Sequence, residues 1–300
     1  MHSVSEQQEE HLLKRADNVY RCPFLITTSS EAPLNGAEWL CSISIQQEYY
    51  FHTDGPNDLG RFRKREGQTD PMHFYTVTKK SELEAMLRKA QLAILNPRDG
   101  PQKFVTFDLA SESLPRQVPF SPNVISLEIQ GPNLPELYFY DLPGSINVIE
   151  DGEDPALVGM IENLVSGYLK DEKCLILLAC GADQDVETST TFRFIKNCRA
   201  TERCAGVVTK ADLLPPGKLP YIKQILNGKK FTLGKGWFFT KQLSQAQIDK
   251  GISHAAARDL EADFFRQQPW SDLAELQSRF GIDRLQDAVS QSMTDHIRGE

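Results

Sequence analysis

Three short segments in this sequence carry residue types able to do chemistry at a common place. Each follows an apolar run with strand character: Asp141-Leu-Pro-Gly144, Thr209-Lys-Ala-Asp212 and Lys241-Gln-Leu-Ser-Gln245. A carboxylate at a strand end followed by a flexible glycine suits a nucleoside triphosphate. Asp141 can hold a magnesium-bound water while the Gly144 amide turns towards the terminal phosphate. The carboxylate of Asp212 only accepts hydrogen bonds, so it can take both protons offered by guanine N1 and the exocyclic amine. Thr209 opens that segment, Lys210 can lay its aliphatic stem over the base, and Lys241 and Gln242 come from the third loop. Taken alone, Asp141-Leu-Pro-Gly144 also reads as an ordinary Pro-Gly turn, and Lys-Ala-Asp as a solvated strand end. Their order after successive strands carries the argument, because ligands of open α/β sheets bind at the carboxyl ends of the strands.

The surrounding pattern supplies those strands. Trp39 to Ile45 alternates in apolar character, with Tyr49, Tyr50 and Phe51 extending the paired region, and residues 54 to 71 read as a long loop. A helix is expected from Ser81, with Glu84 completing a capping box and Leu83, Leu87, Ala90 and Ile94 on one face, ending by Asn96-Pro97. Strands follow at Val124 to Ile129 and Leu137 to Tyr140. Asp154-Pro155 then opens a helix with the stripe Leu157, Ile161, Leu164, Val165, Tyr168, Leu169. A buried strand at Leu175 to Ala179, a helix at Glu187 to Asn197, and strands at Gly206 to Thr209 and Trp237 to Thr240 come next. Helices at Ser244 to Arg266 and Asp283 to Ile297 close the chain. Strands alternating with helices indicate an α/β fold with a largely parallel sheet, flanking helices and a helical C-terminal end. Residues 1 to 35 are polar with little period, 1–13 reading as a tail.

Composition narrows the partners. A chain of 300 residues with 40% hydrophobic content buries a full core, and a formal net charge of −8 argues against nucleic acid, since no basic excess exists to release phosphate counterions. The six cysteines form no CxxC pair and read as reduced, mostly buried thiols, which points to a cytoplasmic setting. No run of 18 apolar residues suggests direct membrane insertion, and the acidic start is unlike a signal peptide.

The stretch from Phe120 through Asp141-Leu-Pro-Gly144 resembles the dynamin family of large GTPases, in particular its fungal members. So do Ala90-Gln-Leu-Ala-Ile-Leu-Asn-Pro97, Gly206-Val-Val-Thr-Lys-Ala-Asp-Leu-Leu214, Gly236-Trp-Phe-Phe-Thr-Lys-Gln242, Ala262-Asp-Phe-Phe265, Arg279-Phe-Gly-Ile-Asp-Arg-Leu285 and His296-Ile-Arg298. The likeness spans about residues 14 to 298. It implies a P-loop GTPase-like G domain over 14–300, with 283–298 leading towards an absent stalk, GTP and magnesium as cofactors, and guanine nucleotide and other dynamin-type G domains as partners. Membrane contact would be peripheral and through a partner. By the same likeness Asp141 and Gly144 are switch residues, Lys210 and Asp212 the guanine-reading pair, and Gln242 stands where the family has an Asn or similar residue.

The family's phosphate cradle, GxxxxGK[ST], is expected before Leu13, yet residues 1 to 12 hold no glycine. Gly217-Lys218, Gly228-Lys229 and Gly234-Lys235 lack its other positions. Tyr20 stands where the resemblance has a magnesium-binding threonine. The first strand and P-loop are thus expected to be missing, leaving two apolar strand edges beside a gap. Three readings follow from this: a G domain with impaired GTP hydrolysis, a pseudo-GTPase interaction module, and a remnant that does not fold.

Overall fold

The computed structural model describes residues 21–298 apart from 34–35, 53–58, 60, 68, 111–114 and 145–155, and gives the backbone alone for 156, 188, 245, 296 and 297. Tyr20 and the expected helix opener Asp154-Pro155 lie outside the described residues. The chain divides into two compact units at Val165/Ser166.

The first unit is built on a five-stranded sheet. Its strands are β1 (Phe24–Ser29), β2 (Leu40–Gln46), β5 (Met72–Val77), β6 (Val124–Gln130) and β7 (Leu137–Asp141), in the order β5–β2–β6–β1–β7. Strands β3 (Tyr49–Phe51) and β4 (Phe62–Lys64) form a separate antiparallel ribbon, so the stretch expected as loop contains a strand. β1 falls in the stretch read as polar with little period. Phe24, Leu25 and Ile26 are buried, and the β-branched Thr27 and Thr28 are tolerated because β1 lies between two partners. It runs parallel to β6, placing Ile26 opposite Leu127, and antiparallel to β7, placing Ile26 opposite Phe139.

Helix α1 (Lys80–Ile94) packs on β2, β5 and β6 through Leu83, Met86, Leu87 and Ala90. These side chains meet Ile43, Phe74, Ile125 and Leu127 in one core. The helix begins earlier than the expected cap. Lys79 is the N-cap residue and makes no side-chain capping bond, so Ser81 sits inside the first turn. Helix α2 (Ala156–Leu169) buries Leu157, Ile161, Leu164, Val165 and Leu169 of the expected stripe, while Tyr168 is half-buried.

The second unit carries an all-parallel sheet of β8 (Ile176–Gly181), β9 (Cys204–Thr209) and β10 (Trp237–Phe239), in the order β10–β9–β8. Parallel pairing therefore holds throughout this sheet and for β1–β6, while the other three pairs of the first sheet are antiparallel. Helices α3 (Thr190–Asn197) and α4 (Leu219–Leu226) follow β8 and β9. The single helix expected over 244–266 is two, α5 (Gln245–Asp249) and α6 (His254–Phe265). Gly251, at φ +68°, ends the first, and the Ser253 hydroxyl caps the second by accepting the Ala256 amide. Helix α7 (Ile282–Arg298) packs Leu285 against Val207 and Phe238. None of the six cysteines is in a disulfide, and Cys22, Cys41 and Cys204 are buried.

Candidate functional site

β9 is the central strand of the second sheet and is buried along five of its six residues. Its end is fixed from both sides. The Thr209 hydroxyl donates to the Cys180 carbonyl at 3.3 Å, and the Thr209 carbonyl accepts the Ala182 amide at 2.9 Å. Lys210 then adopts a left-handed backbone, φ 56° and ψ 46°, which is uncommon for a residue with a β-carbon and reverses the chain at once. The reversal leads into a single 3₁₀ turn, Ala211–Leu213, which holds Asp212 exposed beyond the strand end.

The same turn is tied to the next strand. The Ala211 amide donates to the Thr240 carbonyl at 3.2 Å, and the Thr240 amide donates to Val208 at 2.9 Å. Thr209, Lys210, Asp212, Lys241 and Gln242 are thereby brought to the carboxyl ends of two adjacent parallel strands. Beside them lies a cavity of about 300 Å³ with Asp212, Pro215, Gly217, Phe264, Pro269 and Trp270 in its wall. The Lys241 ammonium sits 5.6 Å from the centre of the Phe264 ring, a cation–π contact that directs the lysine across the aromatic wall.

Two arrangements escaped the sequence reading. Glu261 projects from the buried face of α6, where its carboxylate accepts the Lys241 amide at 2.7 Å. A carboxylate one turn before Phe265, on the face it shares with Ala257 and Phe264, was the signal available. In the second, the Asp185 carboxylate accepts the Tyr221 hydroxyl at 2.8 Å and lies 3.4 Å from the Lys218 ammonium, lining a smaller cavity of about 80 Å³. The tyrosine bond, more than the Glu187 amide or Lys218, holds Asp185 below the ordinary carboxylate range, while burial and the same bond push Tyr221 up. These partners lie far apart in sequence, and no local pattern announces them.

Asp141 and Gly144 belong to the first unit. Asp141 is the last residue of β7, half-buried and opposite Phe24. Gly144 is exposed, and a β-carbon there would meet nothing within 4 Å, so packing alone does not require glycine. Among the described residues no helix is long and apolar enough to cross a membrane.

The family model described as "Dynamin family" matches residues 52–211, and that described as "Dynamin central region" matches 221–300. Phragmoplastin DRP1A of Arabidopsis thaliana is 32% identical over 170 residues, which are 56% of this chain and 27% of that protein. Dynamin-1 of Homo sapiens is 30% identical over 179 residues, 59% of this chain and 20% of its own length. Interferon-induced GTP-binding protein Mx2 of Sus scrofa is 26% identical over 219 residues, 72% of this chain and 28% of its own. The chain thus spans about a quarter of the length of the curated relatives it matches.

Proposed function

The chain belongs to the dynamin family of large GTPases, and from that premise we propose that its second unit is the guanine-reading part of a GTP site. One observation carries this reading: the left-handed Lys210 and the Ala211–Thr240 bond hold the Asp212 carboxylate at the ends of β9 and β10. In this reading Asp212 accepts guanine N1–H and N2–H, and Lys210 packs its stem on the base. Thr209 fixes the turn, and Lys241 with Gln242 closes the far side. A carboxylate rejects adenine at the same place, because the adenine edge offers no matching pair of donors.

Asp141 and Gly144 fit the phosphate end of such a site by residue type. A single carboxylate suits magnesium, which keeps several waters and takes substrate phosphates as ligands. When bound, the ion would neutralise charge on the phosphates. Asp141 would hold one of its waters, and the Gly144 amide would donate to a phosphate oxygen.

Affinity follows from magnitudes. Two hydrogen bonds to a charged carboxylate contribute roughly 3 to 6 kcal/mol, while association costs about 4 to 15 kcal/mol. No GxxxxGK[ST] sequence occurs in these 300 residues to supply the phosphate contacts. Binding by this stretch is therefore weaker than about millimolar, and its hydrolysis is close to background. Titrating labelled GTP with the purified chain, up to high-micromolar protein and with magnesium, should give flat anisotropy. Saturable micromolar binding that GTP but not ATP displaces would overturn the affinity argument.

A second reading, a nucleotide-independent interaction module for other dynamin-type G domains, is supported by the sheet edges. Among the described residues β7 ends the first sheet with Tyr138 61% exposed, and β8 ends the second with Leu177 55% exposed. β8 carries neither charge nor proline, and an apolar edge strand of that kind invites pairing, while β7 has its single charge, Asp141, at its end. Co-purification with a longer relative in the absence of GTP would favour it, and failure to co-purify would count against it.

A further inference from the structure

The Glu261 carboxylate is 5% exposed and plays no part in the base reading given above. Its Oε1 accepts the Lys241 amide at 2.7 Å and its Oε2 accepts the Ile282 amide at 2.9 Å. Lys241 lies just past the end of β10, and Ile282 is the first residue of α7. Between strand and helix, Gly281 holds φ +90° and donates its amide to the Phe239 carbonyl at 2.8 Å. That φ is what confines position 281 to glycine. Strand end, loop and helix start therefore share one carboxylate.

Taking a carboxylate out of water is unfavourable unless its oxygens are satisfied. An ordinary N-cap side chain accepts the second or third amide of a helix and would leave the first, at Ile282, unserved. What the buried glutamate adds is the second arm, to the loop that carries Lys241 and Gln242. Arg258, 3.9 Å from Oε2 and 3.2 Å from Asp283, supplies a partial counter-charge. Burial pushes the Glu261 carboxyl above its ordinary range, and the two amides and Arg258 oppose that push.

We propose that Glu261 is a positioning residue that sets the Lys241–Gln242 backbone and, through it, the preference of the Asp212 turn for guanine over adenine. The route is short. The Thr240 carbonyl, one residue before Lys241, accepts the Ala211 amide at 3.2 Å, so a displaced loop displaces the turn. The functional half rests on the base-reading assignment; the geometric half rests on the two hydrogen bonds.

The test uses Glu261→Gln and Glu261→Asp in the whole chain. Glutamine keeps the shape but accepts only one of the two amides and presents its own NH₂ to the other. Aspartate keeps the charge but is one methylene too short to span both. Two measurements are made: hydrogen exchange at the Lys241 and Ile282 amides, and saturation-transfer NMR of GTP and ATP at millimolar concentration with magnesium. In each variant at least one of the two amides should exchange about ten- to a hundredfold faster, from the usual strength of a bond to a charged group. The GTP-to-ATP saturation ratio should fall towards one. Unchanged amides would overturn the geometry, and faster exchange with wild-type selectivity would reduce Glu261 to a structural cap. Failure of both variants to fold would likewise overturn the selectivity role. A wild-type chain with no GTP preference would sink the base-reading assignment and the selectivity half with it, leaving the amide rates to decide the geometry.

Discussion

Gly206→Ala should unfold the second unit at lower denaturant more sharply than its size suggests. A β-carbon on Gly206 would stand 2.2, 2.3 and 2.6 Å from three carbons of the Trp237 ring. Carbon atoms settle at about 3.5 to 4.0 Å, so the ring must retreat by more than about 1 Å. It has little freedom to do so, being 1% exposed with its Nε1–H donating to the Phe231 carbonyl at 2.7 Å. The Gly206 amide itself donates to Gly236 at 2.9 Å, which resists a shift of β9. Overpacking of this kind costs about 1 to 3 kcal/mol, and losing the indole bond adds about 1 kcal/mol. The expected loss is about 2 to 4 kcal/mol, read from the urea midpoint by far-ultraviolet circular dichroism. Because the two residues touch, Gly206→Ala combined with Trp237→Leu should destabilise by less than the sum of the single changes. A Gly206→Ala chain within about 0.5 kcal/mol of wild type would refute the packing argument.

In the first unit, Asn123→Ala should cost about 1 to 3 kcal/mol, because the Asn123 side chain accepts the Tyr49 amide at 2.8 Å and donates to the Tyr49 carbonyl at 3.0 Å, both left unpaired by alanine; urea unfolding checks it. Leu83→Ala empties a site that is 1% exposed on α1 and should cost about 2 to 5 kcal/mol by the same assay. Tyr221→Phe removes the bond that, first among its causes, depresses Asp185 below the ordinary value of 3.8. A depressed carboxyl contributes stability above its unfolded value and loses it as pH falls through the folded one. The difference in melting temperature between wild type and Tyr221→Phe should therefore be steady from about pH 5 to 7 and shrink below about pH 4. A difference that grows on acidification would contradict the assignment.

What the sequence disclosed followed the strength of local pattern. The run at Cys204–Thr209 is buried on both faces and apolar through its centre, and Val124–Gln130 sets Val124, Ile125, Leu127 and Ile129 around Ser126 and Glu128, so both read as strands at once. β1 did not, because Thr27, Thr28 and Ser29 look like loop until two neighbouring strands give their backbone partners. β8 was legible as a strand but not as an edge. Its sequence suits a strand covered on both sides, and sheet order, which leaves Leu177 and Ala179 exposed, is not written locally. The break at Gly251-Ile-Ser253 had its signals in plain view, a left-handed glycine and a serine cap, overridden by the longer apolar period around it. The candidate site divides similarly. Thr209, Lys210 and Asp212 were visible as a compact motif at a strand end. Glu261 was not, since its partners lie 20 and 21 residues away and meet only when α6 docks beside β10.

The most direct test of the guanine-reading claim is saturation-transfer NMR on the purified chain with GTP, ATP and xanthosine triphosphate, each at millimolar concentration with magnesium, repeated with Asp212→Asn. In the wild-type chain the guanine protons should receive more saturation than the adenine protons. The asparagine variant should transfer its preference to xanthine, whose C2 carbonyl accepts from the new amide where the guanine amine met a carboxylate. Equal saturation of all three nucleotides, unchanged by the substitution, would contradict the account.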